Sequence, residues 1–191
     1  VRAAEMIDQV LPRGLQIACT VPEGPIYLTG ARQVWDEPAV SPTQPAQELI
    51  SALSAARKPL LITRNLGRQP EAVGKLAELS QRVSIAVCEV NPQYVNFPGD
   101  HSHHIGYRRN TLVDGADLIL TLDVDVPWII SKAAPRADAR LFHLDCDPLK
   151  ADMGFRHFSA ERTWQADSLA ALDQLLALAA QGDALREPYR H

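Results

Sequence analysis

The chain has 191 residues, of which 46% are hydrophobic and 22% charged, proportions that exclude a disordered or fibrous polypeptide and a disulfide-stapled miniprotein. Nineteen Lys and Arg against 23 Asp and Glu leave a formal net charge of -4, a field that repels a phosphate backbone and argues against nucleic acid as a partner. Cys19, Cys88 and Cys146 lie far apart with no C-x-x-C pair, which points to a reduced, cytoplasmic setting; the apolar stretches break within about ten residues, short of the roughly 18 that cross a bilayer.

In chain order, Met6, Ile7, Val10 and Leu11 recur at helical spacing, and Pro12 opens a second helical stretch over Leu15, Ala18 and Cys19 that Pro22 and Gly24 end. A short β-prone run, 25–29, comes next. From Arg32 to Pro45 the sequence RQVWDEPAVSPTQP holds three prolines in 14 residues and no period, the composition of a linker and the expected domain boundary. Leu49, Ile50, Leu53 and Ala56 then form one face of a helix, closed by Lys58-Pro59 before the apolar run Leu60-Leu61-Ile62. Pro70 suits a first helical turn, and Val73, Leu76, Ala77, Leu79 and Val83 make the buried stripe of the helix after it. Three more runs of strand length come after that helix: Ser84 to Val90, Ala116 to Leu122 and Arg140 to Cys146. A last helix is expected from a cap at Asp167 or Ser168, burying Leu169, Leu172, Leu176 and Ala179 and ending at Gly182.

Short apolar strands alternating with amphipathic helices predict an α/β fold, an open, doubly wound parallel sheet covered on both faces. Ligands of such sheets gather at the carboxyl ends of the strands. The residues placed there are Arg64 to Arg68, Glu89 to Asn91, Asp123 with Asp125, and Asp145 with Asp147.

The turn R-N-L-G-R holds one glycine, so neither a G-x-G-x-x-G fingerprint nor a P-loop is present. Arg64 and Arg68 have the chemistry to pair with phosphate oxygens, and Asn65 tolerates a left-handed backbone; spacing alone favours two solvated arginines on a loop. Asp100-His101-Ser102-His103-His104 is the densest set of metal-ligand types, with His143 the fourth partner by type, yet adjacent loop histidines rarely converge on one ion, and a polar rim facing the cleft is the better reading. Each Asp pair at 123/125 and 145/147 sets two carboxylates on one side of a strand end. Ribose contact suits Asp145, turn capping suits Asp147, and no general base, catalytic residue or metal ligand is nominated. No G-x-S-x-G elbow occurs; Cys88 and Cys146 read as packed thiols, and Trp128 and Trp164 as core or interface.

The order of segments resembles a known family. GPIYLTGARQVW is similar to the stretch that ends the pyrimidine-binding domain of thiamine-diphosphate enzymes of the acetolactate synthase and 2-oxo acid decarboxylase type. KPLLITRNLGR, FPGDHSHHIGY, ADLILTLDVDVPW, ARLFHLDCDPLK and the helix after WQAD resemble their middle domain. The resemblance implies a Rossmann-like sheet of about six strands. It also implies a parent lyase or transferase that uses thiamine diphosphate and magnesium to decarboxylate a 2-oxo acid such as pyruvate, with or without carboligation, the thiazolium ring serving as electron sink.

In that family the activating glutamate and the G-D-G motif for magnesium and diphosphate lie in the flanking domains, and no G-D-G tripeptide occurs here. The resemblance therefore implies a non-catalytic piece: residues 1–31 the end of the preceding domain, 32–45 a linker, 46–182 the central domain and 183–191 the start of the next linker. FAD or ADP occupies the middle domain of some members. Carried over, the nucleotide-facing positions are Arg64, Asn65, Gly67, His103, His104, Gly106, Asp123, Asp125, Asp145 and Asp147. The family's glycine-rich turn is R-N-L-G-R here, and L-D-V-D-V-P-W stands where a G-x-R-F-D-D segment contacts FAD, which adds bulk and negative charge. A stand-alone module binding FAD, ADP or NAD is the competing reading, and a metal-dependent hydrolase built on 100–104 the third. Expected partners are the other domains of the parent and further copies in a dimer or tetramer, with Met6, Ile7, Val10 and Leu28 exposed and self-association or an order boundary near Arg32.

Overall fold

A computed structural model describes residues 45–107, 112–148 and 160–179 and the isolated positions 11, 14, 15, 18, 25–27, 29 and 150. The chain divides into two units, residues 1–43 with 149–157 and residues 44–148 with 158–191, and the second unit carries the sheet. The expectations for Met6, Ile7, Val10 and Leu28, for the linker, for a helix end at Gly182 and for 183–191 fall outside the described residues. Positions 11, 14, 15 and 18 are helical, as the spacing predicts, whereas the β-prone run is not a strand at 25–27 or 29.

Helix α1 (Pro45–Ala55) leads into β1 (Pro59–Thr63), a single 3-10 turn (Leu66–Arg68), α2 (Pro70–Val83) and β2 (Ala86–Glu89). Strands β3 (Leu118–Leu122), β4 (Arg140–Asp145) and β5 (Arg162–Gln165) come next, then α3 (Ser168–Ala179). Among the described residues the sheet has five strands, all parallel, in the order β2-β1-β3-β4-β5. The expected count of about six is explained by the segment 103–106. It runs beside β2, with Val87 N donating to His103 O (2.9 Å), Ile105 N to Val87 O (2.9 Å) and Glu89 N to Gly106 O (3.0 Å). Only the parallel bridge Val87–His104 is regular enough to count as pairing.

Strand alternation builds two cores. One face carries the row Val87, Leu61, Leu120 and Phe142, in register across four strands and packed against Leu49, Leu53, Leu76, Leu79, Leu172 and Leu175 of the three helices. Each such side chain, wholly withdrawn from water, contributes about 1.5–3 kcal/mol. The opposite face carries Ile62, Cys88, Ile119 and Leu141 and is covered by Leu112, Val113, Ala116, Val124 and Trp128. Those covering residues lie in turns and irregular chain, so among the described residues the sheet's second layer is not helical. The sheet is thus a parallel α/β sheet covered on both faces, as expected.

Local signals explain most boundaries. The face Leu49, Ile50, Leu53 and Ala56 is buried as predicted, and Pro70 opens α2. In α2 Leu76, Leu79 and Val83 are buried as predicted, with Ala72 and Ser80 beside them; in α3 Leu172 is buried as predicted together with Ala171 and Leu175, while Leu169, Leu176 and Ala179 pack at the margin. Strand β5 has no counterpart among the predicted runs. Its sequence RTWQ is not an apolar run, because an edge strand buries little; the ladder to β4 holds it, and Trp164 adds a stacked contact on Phe142 at 5.6 Å.

Candidate functional site at the carboxyl edge

β1 leads outward to β2 on one side while its other neighbour is β3, so the switch point of the sheet lies between the carboxyl ends of β1 and β3. Arg64 and Asn65 leave β1 there, and Asp123 and Asp125 leave β3. The two loops are tied by Asn65 N donating to Asp123 O at 3.0 Å. Asn65 Nδ2 donates to Asp125 Oδ2 at 3.4 Å, and Arg64 Nη1 stands 3.8 Å from the same oxygen. Asn65 is not left-handed; φ is -118°. Just beyond the carboxyl ends of β2 and β3, Asn91 (φ 43°) and Asp123 (φ 46°) have positive φ.

Asp123 is the centre of a second group. It is 2% exposed and accepts from Ser168 Oγ at 2.6 Å, and Arg68 Nη2 lies 4.0 Å from its Oδ1. Burial, opposed by the Ser168 hydrogen bond and reinforced by Asp145, pushes the Asp123 carboxyl above its ordinary range. Arg68 Nη2 also donates to Cys146 Sγ at 2.9 Å, the leading reason its own pKa is raised. Cys146 is thus a half-buried free thiol at a polar contact, while Cys88 is a packed core thiol. Among the described residues, Asp123, Asp145 and Cys146 bring carboxylate and sulfur atoms within 4.8 Å of one another. The Arg68 guanidinium already supplies the positive charge they attract. Asp145, wholly buried, accepts from Asp147 N at 2.8 Å and so caps the turn after β4.

Gly67 has a different role from the one its position suggests. A Cβ built on it would overlap the Val95 carbonyl oxygen and lie 2.8 Å from Tyr94 Cβ, so the loop after β2 packs directly on its backbone. Gly67 N donates to Asn96 Oδ1 at 3.0 Å. Asn96 Nδ2 donates to Glu89 Oε2 (2.9 Å) and Tyr94 O (3.0 Å), and Asn96 N to Glu89 Oε2 (3.2 Å). His104 Nε2 stands 3.1 Å from Glu89 Oε1. Gly106 closes this side with φ +87°, a conformation that favours glycine.

The histidine cluster therefore divides. His104 meets Glu89 and the Tyr107 ring; His101 lies edge-on to Phe97 and accepts His103 N at Nδ1 (3.1 Å). Burial first, then the neighbouring His103, lowers the His101 pKa. His143 sits inside the sheet at 2% exposure with Nδ1 2.7 Å from Thr121 Oγ1. Four strand spacings of about 4.8 Å separate it from the 103–106 segment, too far to share an ion. Sequence reasoning missed Asn96; the signal available was a lone amide side chain inside the apolar loop Y-V-N-F after a strand.

No protein-family model and no curated protein matches the chain. Solved structures do share its fold. A thiamine diphosphate-dependent 4-hydroxybenzoylformate decarboxylase of Rhodococcus jostii RHA1 superposes with a TM-score of 0.61 at 18% identity, covering 99% of this chain and 40% of its own. Benzoylformate decarboxylase of Polynucleobacter necessarius gives 0.58 at 19% identity, covering 93% and 38%. The chain thus spans about two-fifths of the length of these neighbours. Among the described residues no helix is long and apolar enough to cross a membrane.

Proposed function

We propose that this chain is the non-catalytic central domain of a thiamine-diphosphate-dependent enzyme that decarboxylates a 2-oxo acid. The observation that carries the reading is the superposition on two-fifths of each of two such decarboxylases over nearly the whole of this chain. The ordered run of segments from GPIYLTGARQVW to the helix after WQAD supports it from the sequence side. Absence of any G-D-G tripeptide leaves magnesium and thiamine diphosphate to be held by other domains of the parent, which with further copies of the chain are its partners.

The acetolactate synthase resemblance and the aryl-substituted neighbours share one substrate class, a 2-oxo acid; pyruvate is the finer form of the proposal. In this reading the domain contributes a rigid sheet and a polar carboxyl edge, not reacting groups. A stand-alone nucleotide module is disfavoured by the use of the Gly67 amide within the chain. Thiamine diphosphate with magnesium, titrated against tryptophan fluorescence, tests the assignment: the parent polypeptide is expected to give a saturable change and the 191-residue chain none. Saturable binding to the 191-residue chain, or none to the parent, contradicts it.

A further inference from the structure

The FAD or ADP that the family resemblance allows in this domain needs a backbone cradle after the first strand, and the residues present do not fit one. We propose that the chain closes its own nucleotide crevice: the loop after β2 sets Asn96 on the Gly67 amide where a phosphate oxygen would accept, and the domain takes no FAD, ADP or NAD.

A diphosphate lies on the amides of the first strand-to-helix turn, brought close by a glycine that offers no side chain. Gly67 is the glycine of that turn. The space beside it is filled by the Val95 carbonyl and Tyr94, and its N–H is spent on Asn96 Oδ1. Asn96 cannot yield the place easily. It is fully buried, and its amide donates to Glu89 Oε2 and Tyr94 O while its oxygen accepts from Gly67, which fixes the orientation of the group. Glu89, 3% exposed, would lose both Asn96 donors if the loop swung out, leaving a buried carboxylate poorly solvated.

Charge works in the same direction. Arg64 faces Asp125, and Arg68 is engaged by Cys146 and Asp123, so the guanidiniums that would meet a diphosphate are matched by carboxylates of the same crevice. An incoming dianion would have to separate those pairs and lie near Asp123, Asp125 and Asp145.

The proposal stands apart from the assignment to a thiamine-diphosphate enzyme, and its test reads a different quantity. Uniform 15N labelling of the 191-residue chain resolves the Gly67 amide together with the amides of β1 and β3. Hydrogen exchange at Gly67 is expected to be strongly slowed in the wild type, and Asn96→Ala should speed it by about tenfold or more while the amides of β1 and β3 keep their protection. Calorimetric titration of the wild type with FAD, ADP, NAD and inorganic pyrophosphate is expected to give no saturable heat. Saturable binding of any of the four, or a wild-type Gly67 amide that exchanges like an open loop, overturns the proposal. Both wild-type measurements hold whether or not the variant folds.

Discussion

The Ser168 hydroxyl donates to the buried Asp123 carboxylate at 2.6 Å, joining the end of β3 to the start of α3 across 45 residues of sequence. Asp123 holds a left-handed backbone there, φ 46°, a conformation that Asp and Asn accept with least strain. Its carboxyl titrates above the ordinary range because burial penalises the charge. A carboxyl with a raised folded-state pKa contributes stability that is complete below its unfolded-state pKa and lost as pH rises through the folded-state value. Asp123→Asn keeps the shape, the backbone preference and an acceptor for Ser168. The variant should therefore match the wild type in urea unfolding at acidic pH and become progressively more stable than it as pH rises towards neutrality. A gap that narrows with rising pH would contradict this.

Asp167 caps α3, its Oδ1 accepting from Ala170 N at 2.9 Å and its Oδ2 from Gln69 Nε2 at 2.6 Å. The cap is the first cause of its lowered pKa, followed by the Gln69 bond. Asp167→Ala is expected to cost about 1 kcal/mol in denaturant unfolding at neutral pH. The sign is opposite to that of Asp123: the contribution is present above the unfolded-state carboxylate pKa and fades as pH falls through the lowered folded-state value.

Two glycines on the carboxyl edge are required for different reasons, and substitution should separate them. Gly106 needs its positive φ but has open space around it, so Gly106→Ala should cost about 1–2 kcal/mol and Gly106→Asn less. Gly67 has no space, so Gly67→Ala should cost about 1–3 kcal/mol or more, with Gly67→Asn worse. Thermal unfolding of the four variants checks the ordering.

Asn96→Ala removes the acceptor of the Gly67 amide and a side-chain donor to a buried carboxylate. A loss on the order of 3 kcal/mol is expected, well above that for a loop residue of the same edge such as Tyr94, which is 46% exposed. Chemical denaturation of both alanine variants decides.

Four strands and three helices were legible because each buries a continuous run or a periodic face: Leu60 to Ile62 and Leu118 to Leu122 are hydrophobic at nearly every position, as a sheet covered on both sides demands. What was not legible depended on partners distant in sequence. β5 is an edge strand held by its ladder to β4 and one stacked tryptophan, and among the described residues the second face of the sheet is covered by irregular chain that has no period to read. Among the candidate site residues, the pattern put Arg64, Asn65, Asp123, Asp125 and Asp145 at the carboxyl edge, where they lie. It could not show that Asp125 comes within 3.8 Å of Arg64, or that Gly67 serves the packing of Val95, since both facts arise from loops meeting after the sheet has formed.

The central claim is that this chain is a non-catalytic part of a thiamine-diphosphate decarboxylase. It is tested most directly by carbon dioxide release from pyruvate and from benzoylformate, with thiamine diphosphate and magnesium supplied, by the parent polypeptide and by the 191-residue chain in parallel. The account predicts release by the parent with at least one 2-oxo acid and none by the chain. Release by the chain alone, or a parent that has no cofactor-dependent activity on any 2-oxo acid, would contradict it.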